Sequence, residues 1–261
     1  MYRLLILGAI MVLAGCSSAP EKPDPTPLER IAEKVELAAV ESASLGGGDQ
    51  TGLSPATNGE VIAAASAGGD VYLFNMNLKE KWSVDIEQTI VGGVAVNQDT
   101  VFVVTSDANL VALSRANGEL LFEIALPSNS MVPPIATDTQ VFIKTQIGQL
   151  LALKADTGET IWSEEARETG VGIRGGAPMT LENDVLYVLW ESGRIVVYQA
   201  DSGRILWERQ VAVSRGRSPL ERIVDSKGAP SVRNSLVATA TRNAQVSLLD
   251  ARNGQLMWSL D

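Results

Sequence analysis

Apolar and polar residues alternate in short runs along most of the chain, and these runs recur in groups. In each group, a run such as residues 150–153 is followed by a turn and then by a second short run that carries an aromatic residue. Short apolar runs of this kind, bounded by turns, predict β-strands. Four groups place a Gly four residues before the aromatic; the pairs are Gly118 with Phe122, Gly158 with Trp162, Gly203 with Trp207 and Gly254 with Trp258.

A fifth, more divergent group ends at Trp82 and has Leu78 in place of the Gly. The five aromatics follow one another at intervals of 40, 40, 45 and 51 residues. A period of about 40 residues with four short strands per repeat indicates a β-propeller, in which the blades bury their faces only by stacking. We therefore predict an all-β fold built from four-stranded antiparallel blades, about five of which lie at residues 46–86, 89–126, 132–166, 174–211 and 228–260.

The recurring aromatics have two interpretations. A residue that every repeat carries at one position is expected to pack one blade on the next, because a ligand site does not need the same side chain in every blade. Stacking on a ligand is the alternative. Trp190 falls outside the repeat and is either an additional core residue or a surface contact.

The N-terminus carries a targeting signal. Arg3 precedes an apolar stretch at residues 4–13, which is shorter than the roughly 20 residues that span a bilayer. Residues 13–16 (Leu-Ala-Gly-Cys) resemble a bacterial lipobox, so we predict a signal peptide at 1–15 and lipidation of Cys16. An unmodified cysteine in an ordinary signal peptide is the alternative. Ser17 matches the sorting pattern for the outer membrane, with the protein facing the periplasm.

Residues 16–34 are predicted to be a tether between the lipid anchor and the propeller, because Pro and Ser are frequent at its start. Residues 28–45 are ambiguous, with helical spacing at Leu28, Ile31 and Val35 and partial strand alternation further on. We favour a strand from about Val35 and assign residues 35–261 to a partial propeller.

Composition narrows the function. The formal net charge of −10 argues against a nucleic-acid partner, because phosphate backbones are bound mainly by clustered Lys and Arg. The chain has no His, the usual general base near neutral pH and the commonest transition-metal ligand. Its single Cys rules out an intrachain disulfide framework.

The repeat is interrupted in two places. The longer intervals put extra residues in the connections at 167–176 and 214–228, which flank the fourth blade. Consecutive connections between blades emerge on one face of a propeller, so these two would form one patch. Apolar residues beside arginines favour a protein contact over a solvated loop. Ordinary loop variation with local Arg–Asp pairing is the alternative.

Residues 151–162 (Leu-Ala-Leu-Lys-Ala-Asp-Thr-Gly-Glu-Thr-Ile-Trp) resemble the blades of quinoprotein dehydrogenases. Together with the lipobox, residues 171–175 (Val-Gly-Ile-Arg-Gly) and residues 220–225 (Leu-Glu-Arg-Ile-Val-Asp) are similar to the BamB family, lipoproteins of the outer-membrane β-barrel assembly machinery. This resemblance implies an eight-bladed propeller without catalytic activity, cofactor or metal. It also implies that three blades are missing after Asp261, as in a truncated sequence.

The resemblance further implies that the protein docks onto the periplasmic domains of BamA, the barrel-forming core of that machinery. Contact with unfolded outer-membrane proteins is a further expectation. Lys227 stands where the family pattern has a second acidic residue. Matched residue by residue, the family's contact positions are Val171, Ile173, Arg174 and Asp225.

Two other functions remain open on this fold. The first is a periplasmic quinone-dependent dehydrogenase, which needs a stacking Trp, a calcium site of clustered carboxylates and, in many members, a vicinal cysteine pair. The single Cys is already assigned to lipid, and acidic residues lie mostly in turns such as those at Asp156, Asp201 and Asp250. The second is a lipoprotein that binds glycan, for which the residues offer no positive feature.

Overall fold

The computed structural model describes residues 38–46, 53–166, 176–212, 228–241 and 246–260. The chain divides into two units, Met1–Val40 and Glu41–Asp261, and every described strand belongs to the second. The signal peptide, Cys16 and the tether predicted at 16–34 lie outside the described residues. In the part of the chain that the structure describes, no helix has the length and apolar character needed to cross a membrane.

The described residues form 20 β-strands in five four-stranded sheets. Sheet 1 consists of β1 (Ala56–Thr57), β2 (Val61–Ala65), β3 (Asp70–Asn75) and β4 (Glu80–Asp85). Sheet 2 consists of β5 (Ile90–Val96), β6 (Thr100–Thr105), β7 (Asn109–Ser114) and β8 (Leu120–Ala125). Sheet 3 consists of β9 (Ile135–Ala136), β10 (Gln140–Lys144), β11 (Gln149–Lys154) and β12 (Thr160–Glu165).

Sheet 4 consists of β13 (Thr180–Glu182), β14 (Val185–Leu189), β15 (Arg194–Gln199) and β16 (Ile205–Gln210). Sheet 5 consists of β17 (Ser231–Arg233), β18 (Leu236–Ala240), β19 (Val246–Asp250) and β20 (Leu256–Leu260). In every sheet the strands pair in chain order, and every pairing is antiparallel. The prediction of an all-β fold with five four-stranded antiparallel blades is therefore confirmed.

The hydrophobic core lies between neighbouring sheets. Four clusters of buried side chains join sheets 1 and 2, sheets 2 and 3, sheets 3 and 4, and sheets 4 and 5. Phe102 of sheet 2 and Ile143 of sheet 3, for example, are fully buried in one cluster. In sheets 2, 3 and 4 the second and third strands bury both faces, so they are apolar at most positions, as in β6.

The repeat aromatics of sheets 1 to 4 each pack on a glycine of the following sheet. Trp162 of sheet 3 donates its indole N–H to the carbonyl of Ala200 at 2.9 Å, and a Cβ atom at Gly203 would lie 2.7 Å from its ring. Trp82 and Trp207 make the same bond to the carbonyls of the following sheets, and the glycines that receive their rings are Gly118 and Gly254. In the sequence, each Gly lies four residues before the aromatic of its own sheet. In the structure, however, the Gly contacts the aromatic of the preceding sheet.

These glycines are required for two reasons. Gly203 has a φ of +69°, a left-handed conformation that L residues adopt at a cost, and its missing side chain leaves room for the indole. Leu78 holds the same turn position in sheet 1 with a φ of 53°, so that turn keeps the backbone geometry without a glycine. The turns of the repeat therefore fix the distance between neighbouring sheets.

A β-bulge places each aromatic. In all five sheets the pairing of the third and fourth strands shifts register next to the residue that faces the aromatic, as at Ala152 opposite Trp162. A bulge inserts an extra residue and re-aims the side chains beside it. Because the bulge recurs at one position, the five aromatic side chains project from their strands in the same direction.

The strand favoured from Val35 to Leu45 is wrong for residues 38–46, which form no strand and are exposed. The alternation there rests largely on alanines such as Ala39 and Ala43, whose side chains bury little apolar area. Gly46 donates its backbone N–H to the hydroxyl of Tyr72 at 3.1 Å, but no strand pairing accompanies this bond. Residues 35–37 lie outside the described residues.

We expect Trp207→Ala to lower the free energy of unfolding by about 3–5 kcal/mol, the usual cost of truncating a buried Trp. Trp207 is 8% exposed, whereas Trp258 of sheet 5 is 49% exposed. Trp258→Ala is therefore the matched control and should cost less than about 2 kcal/mol, in line with its smaller buried area. Urea titrations of the full chain measure both values, and equal losses would refute interlocking as the role of the repeat.

Gly203→Ala tests the receiving side of this contact. The new methyl group would overlap Trp162, so we expect a loss larger than the roughly 1–2 kcal/mol that left-handed backbone strain alone costs an L residue. Gly59→Ala is the control, because Gly59 has a φ of +90° with no atom within 4 Å of a Cβ. If the thermal midpoint falls equally in both variants, the close approach of the indole to Gly203 does not explain the cost of the substitution.

Candidate protein-docking surface

The connections between sheets and the turns between second and third strands lie at the same end of each sheet, because all strands pair antiparallel in chain order. We call this the connection end. The first residue after an outer strand donates its backbone N–H to a carbonyl in that turn. The bonds run from Ile86 to Gly69, from Leu126 to Ala108, from Ala166 to Gly148 and from Val211 to Gly193, at 2.7–3.0 Å.

Both interruptions of the repeat lie at the connection end, on either side of sheet 4. The first connection leaves the described structure after Ala166 and returns at Gly176, and the second leaves after Ala212 and returns at Gly228. The contact residues predicted from sequence, Val171, Ile173, Arg174 and Asp225, lie outside the described residues. The structure therefore fixes the points where both connections begin and end, and the assignment of these four residues stays a prediction.

Hydrogen bonds hold the start of the second connection. The side chain of Gln210 donates to the carbonyls of Ser192 and Ala212 at 2.7 and 2.6 Å. The N–H of Ala212 donates to the carbonyl of Gly193 at 3.1 Å. The last described residue before this connection is thus fixed to the turn of sheet 4.

The return of the second connection is tied to sheet 4 as well. The hydroxyl of Thr180, at the start of β13, donates to the carbonyl of Pro230 at 2.6 Å. Pro230 directly precedes β17, so this bond links the first strands of sheets 4 and 5. The described anchors of both connections therefore rest on one rigid part of the fold.

Lys144 is a residue at this end that our sequence reasoning missed. It is the last residue of β10 and is 4% exposed. Its ammonium group donates to the carbonyls of Leu189 and Ala177 at 2.9 and 3.2 Å and pairs with Glu191 at 2.9 Å. The signal was available, since a charged residue directly after the apolar run of residues 141–143 departs from the pattern of the other repeats.

Ile147 is an exposed apolar residue beside the first connection. It lies in the turn between β10 and β11, next to Gly148, whose carbonyl accepts from Ala166. About half of its side chain is exposed to solvent. It therefore adds apolar surface where the first connection starts, a feature that a pattern based on strands does not reveal.

The calcium site of a quinone-dependent dehydrogenase would require clustered carboxylates. Within the described ranges, no three carboxylate or cysteine side chains come close enough together to hold a metal ion. Asp250 is part of a turn ion pair, because hydrogen bonds from the Arg252 side chain and backbone lower the pKa of its carboxyl group to about 2. A general base near neutral pH needs the opposite shift.

Trp190 is a core residue of the cluster between sheets 3 and 4, which decides between the two alternatives left by the sequence. The indole N–H groups of Trp82, Trp162 and Trp207 are all bonded to backbone carbonyls of a neighbouring sheet. These three tryptophans serve packing, and their rings lie against the receiving glycines.

A family model described as "Outer membrane protein assembly factor BamB" matches residues 67–261. The chain belongs to the BamB family. It is 25% identical to BamB of Bordetella pertussis, over 98% of this chain and 68% of the relative, and 27% identical to BamB of Burkholderia pseudomallei, over 96% and 66%. BamB of Escherichia coli is 26% identical over 98% of this chain and 70% of its own length. The chain spans about two thirds of the length of these relatives.

Solved structures support the propeller. The crystal structure of BamB from Moraxella catarrhalis aligns with a TM-score of 0.72 at 24% identity, over 79% of this chain and 63% of that one. A europium-containing methanol dehydrogenase aligns with a TM-score of 0.59 at 15% identity, over 77% of this chain and 49% of that one. Both likenesses show the fold alone. The predicted resemblance to the BamB family is confirmed, while the dehydrogenase is a distant relative in fold.

Proposed function

We propose that this chain is a non-catalytic scaffold lipoprotein of outer-membrane protein assembly, anchored in the outer membrane and facing the periplasm. Membership of the BamB family supports the assembly role. The observation that carries a docking role is that both long connections begin and end at one end of the stack, on either side of sheet 4. A rigid scaffold that presents two neighbouring loops is a common design for a binding surface.

The partner in this proposal is the set of periplasmic domains of BamA. Arg174 would donate charge-assisted hydrogen bonds to a partner carboxylate or carbonyl, and Val171 and Ile173 would fill a shallow apolar site. Asp225 of the second connection would accept from a partner cation. Ile147 supports this arrangement, because it exposes an apolar side chain at the foot of the first connection.

The absence of catalysis is also part of the proposal. It is supported by the use of the repeated tryptophans for packing and by the lowered pKa of Asp250.

Contact with unfolded outer-membrane proteins is a further part of the proposed function. The outer strands β4, β8, β12, β16 and β20 each pair on one side only within the described residues, and such free edges offer backbone groups to an extended segment.

Arg174→Glu should abolish capture of BamA by the lipidated full chain from detergent-solubilised outer membranes. The reversed charge would repel the groups that Arg174 binds, whereas a residue of a connection should leave the thermal midpoint unchanged. The matched control is Arg204→Glu, an exposed arginine at the opposite end of sheet 4. Undiminished capture by Arg174→Glu, or equal loss in the control, would remove Arg174 from the docking surface.

Cys16→Ala should release the protein from membranes into the soluble periplasmic fraction. Acyl chains contribute about 0.8 kcal/mol per buried CH₂ group, and a chain without Cys16 has no residue left to acylate at this motif. Fractionation of cells that express each form measures the change. Membrane association that survives the substitution at full strength would contradict the anchor.

A further inference from the structure

We propose that Lys144 is a positioning residue for the docking surface, and that its ammonium group fixes the point where the first long connection rejoins the fold. The proposal deepens the function proposed above and rests on it for its biological meaning. The inference about positioning itself depends only on described residues of sheets 3 and 4.

Lys144 interrupts the repeat at one defined place. The equivalent residue, which pairs with the third strand at the same position of the ladder, is Ala65 in sheet 1, Val104 in sheet 2, Leu189 in sheet 4 and Ala240 in sheet 5. Sheet 3 has a lysine there, and it is almost fully buried. Burying a charge is costly unless it is paired and hydrogen-bonded, so a buried lysine at one repeat requires a specific reason.

Among the described residues, the acceptors of the Lys144 ammonium group lie in the next part of the chain. They are the carbonyls of Ala177 and Leu189 and the carboxylate of Glu191. The nitrogen also lies 5.4 Å from the centre of the Trp190 ring, a favourable position for a cation over an indole. Lys144 thus joins sheet 3 to two segments around sheet 4, one at Ala177 and one at residues 189–191.

One of those segments is the return of the first connection. Gly176 is the first described residue after it, and Ala177, which follows, accepts from Lys144. A Cβ atom at Gly176 would collide with the Glu191 carboxylate and lie 3.4 Å from the Lys144 nitrogen. The chain therefore returns in direct contact with the ion pair, at a residue with a φ of +44° where a side chain does not fit.

The start of the same connection is held by the same turn of sheet 3. The N–H of Ala166 donates to the carbonyl of Gly148 at 2.7 Å, and Gly148 lies four residues after Lys144. One hairpin of sheet 3 therefore binds both ends of the connection, through Gly148 at the start and Lys144 at the return. Both anchor points keep a fixed separation as long as Lys144 holds Ala177.

A buried ion pair is a weak source of net stability, because desolvation offsets much of the attraction. Lys154 of the same sheet shows the contrast: it pairs with Glu159 at 2.5 Å, but both side chains are at least half exposed. Placement of the connection accounts for the burial of Lys144 better than stability does.

Limited trypsin digestion of the full chain tests this inference. The first connection contains Arg167 and Arg174, and the second contains Arg215, Arg217, Arg222 and Lys227, so each carries its own cleavage sites. Mass spectrometry of the fragments gives the initial cleavage rate of each connection. The second connection serves as an internal control, because global destabilisation would raise both rates together.

In Lys144→Met we expect cleavage in the first connection to rise about tenfold relative to the second, as loss of a charge-assisted hydrogen bond implies. Glu191→Gln, a milder change at the same ion pair, should shift the ratio in the same direction by a smaller factor and keeps the test valid if Lys144→Met folds poorly. Lys154→Met, which breaks an ion pair at the opposite end of sheet 3, should leave the ratio unchanged. An unchanged ratio in the first two variants, or an equal rise in both connections, would overturn the inference.

The BamA capture experiment distinguishes failure of this inference from failure of the proposed function on which it rests. If both are correct, Lys144→Met lowers capture several-fold while Lys154→Met does not. If the unchanged chain captures no BamA, the proposed function fails, but the cleavage ratio still tests whether Lys144 positions the connection.

Discussion

The rest of the structure depends on the contact between an aromatic ring and a glycine of the following sheet. Trp162 shows both features of this contact. The indole ring lies against Gly203, and the indole N–H donates to the carbonyl of Ala200. Neither sheet buries its apolar faces alone, so every interface rests on hydrophobic burial, and three of the four described interfaces add one oriented hydrogen bond from an indole N–H. In the interface where Phe122 replaces Trp, the ring still lies on Gly158 and only packing remains.

In each repeat, the residues that interlock neighbouring sheets are separate from the connections, whose length can vary. The aromatic, the bulge and the glycine turn lie along the outer half of each sheet, and the connections between sheets lie at one end. Residues can be inserted there without moving any interlocking contact. The two longest connections flank sheet 4, and the repeat is modified beside the first by a buried charge at Lys144. The long connections and the buried charge that holds one of them therefore lie at the same end of sheet 4.

Sequence reasoning predicted the blades because alternation and the Gly-to-aromatic spacing are local features. It could not predict that Gly203 contacts Trp162 rather than its own Trp207, since a contact between sheets has no fixed separation in the chain. It also misjudged residues 38–46, where alanines imitate alternation without the apolar area that stabilises a strand. Lys144 was missed because its acceptors at Ala177 and Leu189 are mainly backbone carbonyls, which no sequence motif marks.

Hydrogen–deuterium exchange of the full chain, with and without purified periplasmic domains of BamA, tests the central claim most directly. A docking surface at the connection end predicts slower exchange on binding in residues 167–175 and 213–227 and in the turn that contains Ile147. The turns at the opposite end, such as the one that contains Gly203, should not change. Protection confined to those opposite turns or to the outer strand edges would contradict this account of docking.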